Sequence, residues 1–237
     1  MWLFIRNKIG KIILFFLGRG WFVILANSRA IAFEFNQYNS AKNFNCVDKF
    51  QRPIPYFTYP AVEYLDNHNL NGLKIFEYGS GSSTLYFLRK GALVTSIEHN
   101  KDWHFKVTKK ANNSNSLNCI LTEDKSSYIN RAEILGADIV VIDGKYRTEC
   151  THYIIRMIEE KKLTFSMIIF DNSDWYPDSI LKIDKKTGWP RADFCGFSPT
   201  NRFNGATSIH LNPNKLLPRV ISGIKPIYGT GGINENN

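Results

Sequence analysis

From Lys74 onward, short apolar runs alternate with longer stretches in which apolar residues recur at helical spacing. The strand-like runs are LKIFEY, LVTSIE, LNCIL, ADIVVID and FSMIIFD, and the helix-like stretches are 83–90, 101–112, 125–134, 148–161 and roughly 175–184. Strands that are apolar throughout and alternate with helices are typical of a parallel sheet covered on both faces. The pattern predicts an α/β domain built on five parallel strands.

The end of the chain follows a different pattern. Two more strand-like runs, ADFCGF and GATSIHL, are joined by a polar loop with Gly and Pro and without a helix, so they predict an antiparallel pair. The fold class expected is therefore α/β and Rossmann-like: a doubly wound, mostly parallel seven-stranded sheet with a C-terminal antiparallel hairpin. We expect this domain to cover residues 38–225, with a flexible tail at 226–237.

Residues 1–37 form an apolar and basic segment that predicts an N-terminal helical extension. Its apolar residues recur at helical spacing at Trp2, Ile5, Ile9, Ile12 and Phe16, and Gly18-Arg19-Gly20 interrupts the run. A spanning helix needs about 20 apolar residues, so none is expected here, and Arg19 argues against a secretory signal cleaved near residues 26–28. Two interpretations stay open: residues 1–26 lie on an anionic membrane surface, or the extension packs against the domain.

Charge and cysteine content narrow the partners and the compartment. The 237 residues carry 30 Lys and Arg against 21 acids, a net charge of +9, which favours anionic partners. The basic residues are dispersed and no nucleic-acid-binding signature occurs, so no nucleic acid partner is expected. The four cysteines have no zinc-site spacing, which favours reduced thiols and a cytoplasmic protein, peripheral at a membrane in the first interpretation above.

A glycine turn follows the first predicted strand. Gly79 and Gly81 let backbone N–H groups approach a ligand, and Ser82 lies where the next helix begins. Glu98 ends the second strand, where a carboxylate can accept both hydroxyls of a ribose. The succession predicts a site for the adenosine part of a cofactor, with an ordinary turn between strand and helix as the alternative.

The spacing inside this turn separates two cofactors. The dinucleotide fingerprint expects a third glycine where Thr84 stands. Glu77, two residues before Gly79, instead gives the pattern acid-x-Gly-x-Gly. Together with the C-terminal hairpin, this pattern resembles class I S-adenosylmethionine-dependent methyltransferases over about residues 56–211. The resemblance implies that Glu77, Gly79 and Gly81 line the methionine end and that Glu98 binds the ribose, with Ser82 as a further cofactor contact.

The adenine contact has two interpretations. The third strand is followed by TEDKSSYI, and the resemblance implies that Asp124, or Glu123 beside it, meets the adenine amino group. The alternative is that Asp124 caps the next helix.

Acidic and amide side chains end the fourth and fifth strands. Asp143, Asp171 and Asn172 are expected to converge, because the carboxyl ends of neighbouring parallel strands face the ligand crevice. Two carboxylates and an amide oxygen suit Mg²⁺, and the set resembles the metal site of catechol-type O-methyltransferases. In the metal-free alternative Asp143 contacts the substrate or the methionine amine, or acts as the base.

The sequence departs from that resemblance after Asp143. Tyr146 stands where the family has a lysine, and Lys145 and Arg147 flank it. We therefore place Lys145 beside Asp143 and Asp171 as candidate catalytic residues. Arg147 is a candidate for holding an anionic substrate group, and Trp175 and Tyr59 are expected at the substrate rim.

The function expected is S-adenosylmethionine-dependent O-methylation of a hydroxyl on a small molecule or glycan. A nicotinamide-dependent oxidoreductase is one alternative. The other is a non-catalytic, membrane-associated domain that retains only a vestigial cofactor pocket.

Overall fold

The computed structural model describes residues 18–112, 114–162, 164–221 and 226–227. Its centre is one seven-stranded sheet in the order β3-β2-β1-β4-β5-β7-β6. β1 to β5 are parallel, whereas β7 runs antiparallel between β5 and β6. The strands are β1 Lys74–Tyr78, β2 Leu93–Glu98, β3 Leu117–Leu121, β4 Ile139–Ile142, β5 Met167–Asp171, β6 Arg191–Gly196 and β7 Gly205–Leu211. The predicted fold class is confirmed, including the C-terminal hairpin.

Helices flank the sheet, and three of the described helices precede its first strand in the chain. Helix α1 includes residues 18–29 and continues into a π-helical turn at Ala30–Glu34. The other helices are α2 Gln37–Asn43, α3 Tyr59–Asp66, α4 Ser82–Arg89, α5 Lys101–Lys110, α6 Lys125–Ile129, α7 Arg147–Glu159 and α8 Pro177–Thr187, with 3₁₀ turns at Ala132–Ile134 and Ser173–Trp175. None of these described helices combines the length and the apolar character needed to cross a membrane.

The sheet buries side chains on both faces, as its continuous apolar strands predict. In β4, Ile139 and Val141 join a core with helices α3 and α4, whereas Val140 and Ile142 join a second core with α7 and α8. Successive side chains of a strand point to opposite faces, so each apolar run supplies both cores. This burial on both faces holds the strands in place, and with them the polar residues at their carboxyl ends.

One predicted helix is divided in two. The pattern predicted a helix over 125–134, but α6 ends at Ile129 and a 3₁₀ turn follows at Ala132–Ile134. The Asn130 side chain donates to the Ser126 carbonyl at 3.0 Å, and its backbone leaves the helical region with φ −89° and ψ 87°. A side-chain amide that bonds the backbone in this way competes with helix continuation.

The N-terminal extension does not pack on the domain over residues 18–25. Every one of these residues is exposed, and Ala30 is the first buried residue of the segment. Residues 1–17, and with them Trp2 to Phe16, lie outside the described residues, as does all of the predicted tail except 226–227. Residues 18–25 therefore do not show the burial that a packed extension predicts, whereas Ala30 and Asn36 further along are buried.

Candidate functional site

A cavity of about 600 Å³ lies at the carboxyl ends of β1, β2 and β4. β1 lies next to β4 in the sheet. From this pair the strand order runs outward in both directions, to β2 and β3 on the β1 side and to β5 on the β4 side. Such a reversal of strand order opens a crevice where ligands bind in α/β sheets. The lining residues are Gly79, Ser80, Glu98, His99, Asn100, Asp102, Trp103, Lys106, Asp143, Gly144 and Lys145.

Two glycines bring the turns after β1 and β4 into contact. Gly79 has φ 95°, and a Cβ atom there would lie 2.8 Å from the Gly144 Cα. A Cβ on Gly144 would lie 2.6 Å from the Gly79 amide nitrogen. Neither position has room for a side chain, so backbone forms this part of the cavity wall. The Gly79 N–H is bonded to the Ile97 carbonyl at 2.9 Å.

Glu98 lies at the end of β2 with its carboxylate in the cavity wall. One oxygen accepts the Ser80 N–H at 3.1 Å and the Ser80 hydroxyl at 3.2 Å. The other accepts the N–H groups of His99 at 2.8 Å and Asn100 at 2.7 Å, with the His99 ring nitrogen at 3.0 Å. Three backbone N–H groups therefore fix the carboxylate, while the Ser80 hydroxyl and the His99 ring are donors that a side-chain rotation can remove. Rotation would free acceptor sites for a pair of ligand hydroxyls.

Glu77 lies behind the glycine turn and outside the cavity lining. Its two oxygens accept the hydroxyls of Ser83 and, at 2.5 Å, Thr84. Complete burial raises the pKa of this carboxyl to about 7, although the two hydroxyl donors oppose the shift. Glu77 thus anchors the first turn of α4 to β1 and lies behind the turn that was predicted to line the methionine end.

Polar groups at the start of α4 form hydrogen bonds within the protein. The Thr84 hydroxyl accepts the Gly81 N–H at 2.9 Å, and Ser82 and Ser83 are buried. A Cβ on Gly81 would lie 3.6 Å from the Trp103 indole nitrogen. Gly81 and Ser82 therefore lie beside the cavity and do not line it. The N–H group at the head of this helix, which a dinucleotide pyrophosphate would need, already has a protein partner.

Trp103 is a further site residue, which was not among the candidates chosen from the sequence. Asn100 caps α5 by accepting the Trp103 N–H at 2.9 Å, and the indole N–H donates to the Ser80 carbonyl. The side chain thus lies over the glycine turn and lines the cavity. The signal available in the sequence was its place in the first turn of the helix after Glu98.

Arg147 joins the ends of β4 and β5. Its guanidinium donates to the Gly144 carbonyl at 3.0 Å, the Asp143 carbonyl at 3.2 Å and the Asp143 carboxylate at 2.9 Å. It also donates to the Asn172 side-chain oxygen at 3.0 Å and to the Asp171 carbonyl. A guanidinium has five N–H donors, and these five bonds use them all. The prediction that Arg147 holds an anionic substrate group is not supported.

The two aspartates differ in their access to the cavity. Asp143 lines it, whereas Asp171 is buried and accepts the Thr207 hydroxyl at 2.6 Å. Removal from water and the nearby Asp171 charge raise the pKa of Asp143 well above its usual range, against the effect of Arg147. Burial also raises the pKa of Asp171, opposed by the Thr207 hydroxyl. Only Asp143 of this pair is placed to meet a ligand.

The predicted magnesium site does not fit these residues. The Arg147 guanidinium occupies the position between the Asp143 carboxylate and the Asn172 amide oxygen, and Asp171 points to Thr207. A fixed cation therefore already neutralises the oxygens that Mg²⁺ would need. Within the described parts of the chain, no group of three His, Cys, Asp or Glu side chains is arranged to hold a metal ion.

The remaining candidates fall in different places. Lys145 is exposed and lines the cavity. Trp175 is exposed at 59% and its ring lies 6.4 Å from that of Phe203. Asp124 accepts the Ser127 N–H at 2.6 Å, so it caps α6, and it does not line the cavity. Tyr59 is a core residue whose hydroxyl donates to the Phe35 carbonyl at 3.1 Å, which corrects its assignment to the substrate rim.

Comparison of the chain with known proteins gives structural similarity only. No protein-family profile matches the sequence, and no curated protein sequence matches it. Among solved structures, precorrin-6y C5,15-methyltransferase from Geobacter metallireducens is 13% identical with a TM-score of 0.46, covering 64% of this chain and 86% of that one.

Two further structures are similar to the same extent. Magnesium protoporphyrin IX methyltransferase from Synechocystis, with bound S-adenosylmethionine, is 16% identical with a TM-score of 0.44, covering 64% of this chain and 75% of that one. The O-methyltransferase TomG from Streptomyces achromogenes, in complex with the same cofactor, is 10% identical with a TM-score of 0.47, covering 63% and 77%. At these identities the similarity concerns the fold.

Proposed function

We propose that this chain is an S-adenosylmethionine-dependent methyltransferase that methylates a hydroxyl group of a small molecule or glycan. The observation that carries the proposal is the start of helix α4. Thr84 stands where a dinucleotide-binding turn has its third glycine, and its hydroxyl takes up the Gly81 N–H. This arrangement disfavours a pyrophosphate at the helix and leaves a cavity suited to an adenosine without one.

The residues of the cavity fit such a cofactor. Glu98 is held by backbone N–H groups at the end of β2, where a carboxylate can accept the two ribose hydroxyls. The backbone of Gly79 and Gly144 allows close approach to the turn between β1 and α4. The flat indole of Trp103 and the Lys106 stem form a further part of the wall. When bound, S-adenosylmethionine supplies a methyl group on a positively charged sulfur.

Asp143 is the proposed acceptor-side group. It lines the cavity beside the glycine turn, and its raised pKa makes its ionised form a stronger base than an exposed aspartate. In the proposed reaction the acceptor hydroxyl gives its proton to Asp143 as its oxygen bonds the methyl group, and the sulfur keeps the electron pair of the broken bond. Arg147 positions Asp143 through the bond to its carboxylate.

Titration calorimetry with the purified protein tests the proposal. We expect S-adenosylhomocysteine to bind and NAD not to bind. Glu98→Ala should weaken the binding at least about tenfold, because a bidentate acceptor of two hydroxyls is lost. Glu159→Ala, a change in an exposed carboxylate of α7, is the matched control and should leave the affinity unchanged. Folded protein that binds NAD, or that binds neither ligand, would contradict the proposal.

A second measurement addresses the metal. Once an acceptor is found by screening hydroxyl compounds for methyl incorporation, activity should be the same with and without a chelator. Loss of activity in the chelator, restored by Mg²⁺, would show that the Arg147 guanidinium does not stand in for a metal ion.

A further inference from the structure

Five consecutive large apolar residues of α1 face solvent. Trp21, Phe22, Val23, Ile24 and Leu25 are exposed at 57%, 38%, 44%, 52% and 43%. An α-helix turns once every 3.6 residues, so these five side chains surround the helix completely. One face packed on the domain would have left part of the set buried, whereas all five are exposed and, within residues 18–29, the half-buried residues are Ala26 and Arg29.

The exposed apolar surface continues beyond α1. Phe33 and Tyr38 are exposed at 58% and 57%, and their rings lie 6.5 Å apart. Phe50, in the loop after α2, is exposed at 65%. Glu34 connects the parts, because it pairs with Arg29 at the end of α1 at 3.8 Å and with Lys49 in the loop at 3.1 Å. We call the surface formed by residues 18–52 and helix α5 the N-terminal face.

Basic side chains are interleaved with these aromatics. Lys42 lies 6.0 Å from the Tyr38 ring, and Lys49 and Arg52 lie 5.5 Å and 4.9 Å from the Phe50 ring. Helix α5 adds four lysines against one acid, and its Lys110 bonds Asn45 of the loop at 2.8 Å. The N-terminal face therefore combines exposed apolar side chains with an excess of positive charge.

We propose that the N-terminal face docks the protein on an anionic lipid surface. Charge complementarity selects this partner, because basic residues beside aromatic ones match negatively charged headgroups above an apolar layer. Aromatic residues concentrate at such interfaces. A nucleic acid would also attract the lysines, but it offers nothing to Val23, Ile24 and Leu25. Residues 1–17 continue the same composition, with Arg6, Lys8 and Lys11 among apolar residues.

The N-terminal face borders the mouth of the cavity described above. Asp102 and Lys106 of α5 line that cavity and also a groove on the outer side of the helix, where Phe105 is exposed at 64%. Lys109 lies 6.0 Å from the Phe105 ring. Helix α5 thus contributes both to the N-terminal face and to the cavity lining.

Vesicle sedimentation with the 237-residue chain tests the proposal. We expect the protein to sediment with vesicles of equal parts phosphatidylcholine and phosphatidylglycerol, and at least about tenfold more weakly with phosphatidylcholine alone. Binding should fall between about 0.1 M and about 1 M NaCl, because the screening length shortens from about 10 Å to about 3 Å.

Matched variants locate the contact. Ile24→Asp should reduce the partition coefficient at least about tenfold, and Lys42→Glu combined with Lys109→Glu should do so by a similar factor. The controls are Leu181→Asp and Lys185→Glu on α8, both exposed side chains, which should leave binding unchanged. Unchanged thermal unfolding of all variants would show that they are folded.

Several results would overturn the proposal. One is no sedimentation with either vesicle, as expected if residues 1–17 or a second copy of the chain cover α1; in the second case Ile24→Asp would convert a dimer into a monomer. Another is vesicle binding that Ile24→Asp leaves intact. A third is tight binding of an RNA oligonucleotide, lost in the double lysine variant, without vesicle binding. None of these outcomes depends on whether S-adenosylhomocysteine binds.

Discussion

The two sides of the cavity are built by different means. On the β1–β2 side, the backbone N–H groups of Ser80, His99 and Asn100 hold one carboxylate, Glu98. On the β4–β5 side, charged side chains bond to one another, with Arg147 between Asp143 and Asn172. The first arrangement follows from local chain geometry. The second exists only because the pairing of β4 with β5 brings Asn172 to the Asp143–Arg147 pair, which lies at the start of α7.

This difference has an energetic consequence. The backbone wall has no room for an added side chain, so substitutions there should cause steric clashes. In the buried charge network, a substitution of similar shape still fits, but it destabilises the fold if it removes a charge, because a buried carboxylate without its partner is costly. Substitutions on the two sides should therefore fail in different ways.

The largest effect is expected for Arg147→Met. The Arg147 and Asp143 side chains are only 12% and 16% exposed, so the variant leaves two withdrawn carboxylates without a cation. The free energy of unfolding at pH 7 should fall by about 3–5 kcal/mol, measured by urea denaturation. Lys186→Met, which removes an exposed pair with Glu159, is the control and should cost less than about 1 kcal/mol.

The pH dependence of the same variant sharpens the test. Asp143 and Asp171 already have raised pKa values, and removing the guanidinium raises them further. A carboxyl whose folded pKa is raised stabilises the fold at low pH and loses that contribution as pH rises. Arg147→Met should therefore be closest to the parent at about pH 5 and furthest from it at about pH 8. An equal loss at both values would contradict a charge-balance role.

The next largest effect is expected for Glu77. This residue lies on the β1–β2 side, but its effect on stability is electrostatic, like the effects expected on the β4–β5 side. Burial raises its pKa from 4.5 to about 7, so the fold binds its proton more tightly than the unfolded chain does. Stability from this group is present below about pH 4.5 and is lost as pH rises through about 7. Glu77→Gln should remove this loss, which is about 3 kcal/mol between pH 4 and 8 at 1.36 kcal/mol per pKa unit.

The measurement for Glu77 is urea denaturation of parent and variant across that pH range. At pH 4 the parent carboxyl is protonated, so the two proteins should agree within about 1 kcal/mol. The difference should then grow in favour of the variant as pH rises. Parallel curves would mean that Glu77 is not the group responsible.

The steric side of the comparison is tested by Gly79→Ala. Its φ of 95° and the Gly144 backbone 2.8 Å from the added Cβ combine two penalties, which together should cost about 2 kcal/mol or more. Affinity for S-adenosylhomocysteine should fall at least about tenfold. Gly136→Ala is the matched control, because Gly136 has φ 83° with nothing within 4 Å. It should show strain of about 1–2 kcal/mol and normal ligand affinity.

The same contrast explains what the sequence could predict. The sequence could predict the strands, the hairpin and the positions of Gly79 and Glu98, because apolar runs and a glycine turn encode local geometry. The hydrogen bonds at the start of α4 could not be predicted from the sequence, since the bonds from Ser83 and Thr84 to Glu77 depend on how the helix packs on β1. A sequence motif identifies the acid but not the direction in which it points.

The β4–β5 side was predicted correctly only in its convergence. Asp143, Asp171 and Asn172 do lie at neighbouring strand ends, as parallel strands require. The prediction that they bind Mg²⁺ is not supported, because no group of three His, Cys, Asp or Glu side chains within the described residues could hold a metal ion. The cation present is Arg147, the first residue of α7, and its inward direction is set by the start of that helix after a left-handed Tyr146 with φ 56°. Tyrosine gives no sequence signal for such a conformation, which among non-glycine residues favours Asn, Asp and His.

The smallest effect is expected for Asp124, whose role has two interpretations. The carboxylate accepts the Ser127 N–H at 2.6 Å as the cap of α6, whereas the resemblance implied an adenine contact. Asp124→Ser distinguishes the two, because serine also caps helices but lacks the carboxylate that an adenine amino group would need. If Asp124 serves only α6, affinity for S-adenosylhomocysteine should stay within about twofold of the parent in calorimetry, since no bond to the ligand is lost. A tenfold loss with unchanged thermal unfolding would instead assign adenine recognition to Asp124, and the β3 edge would then join the β1–β2 side as part of the ligand wall.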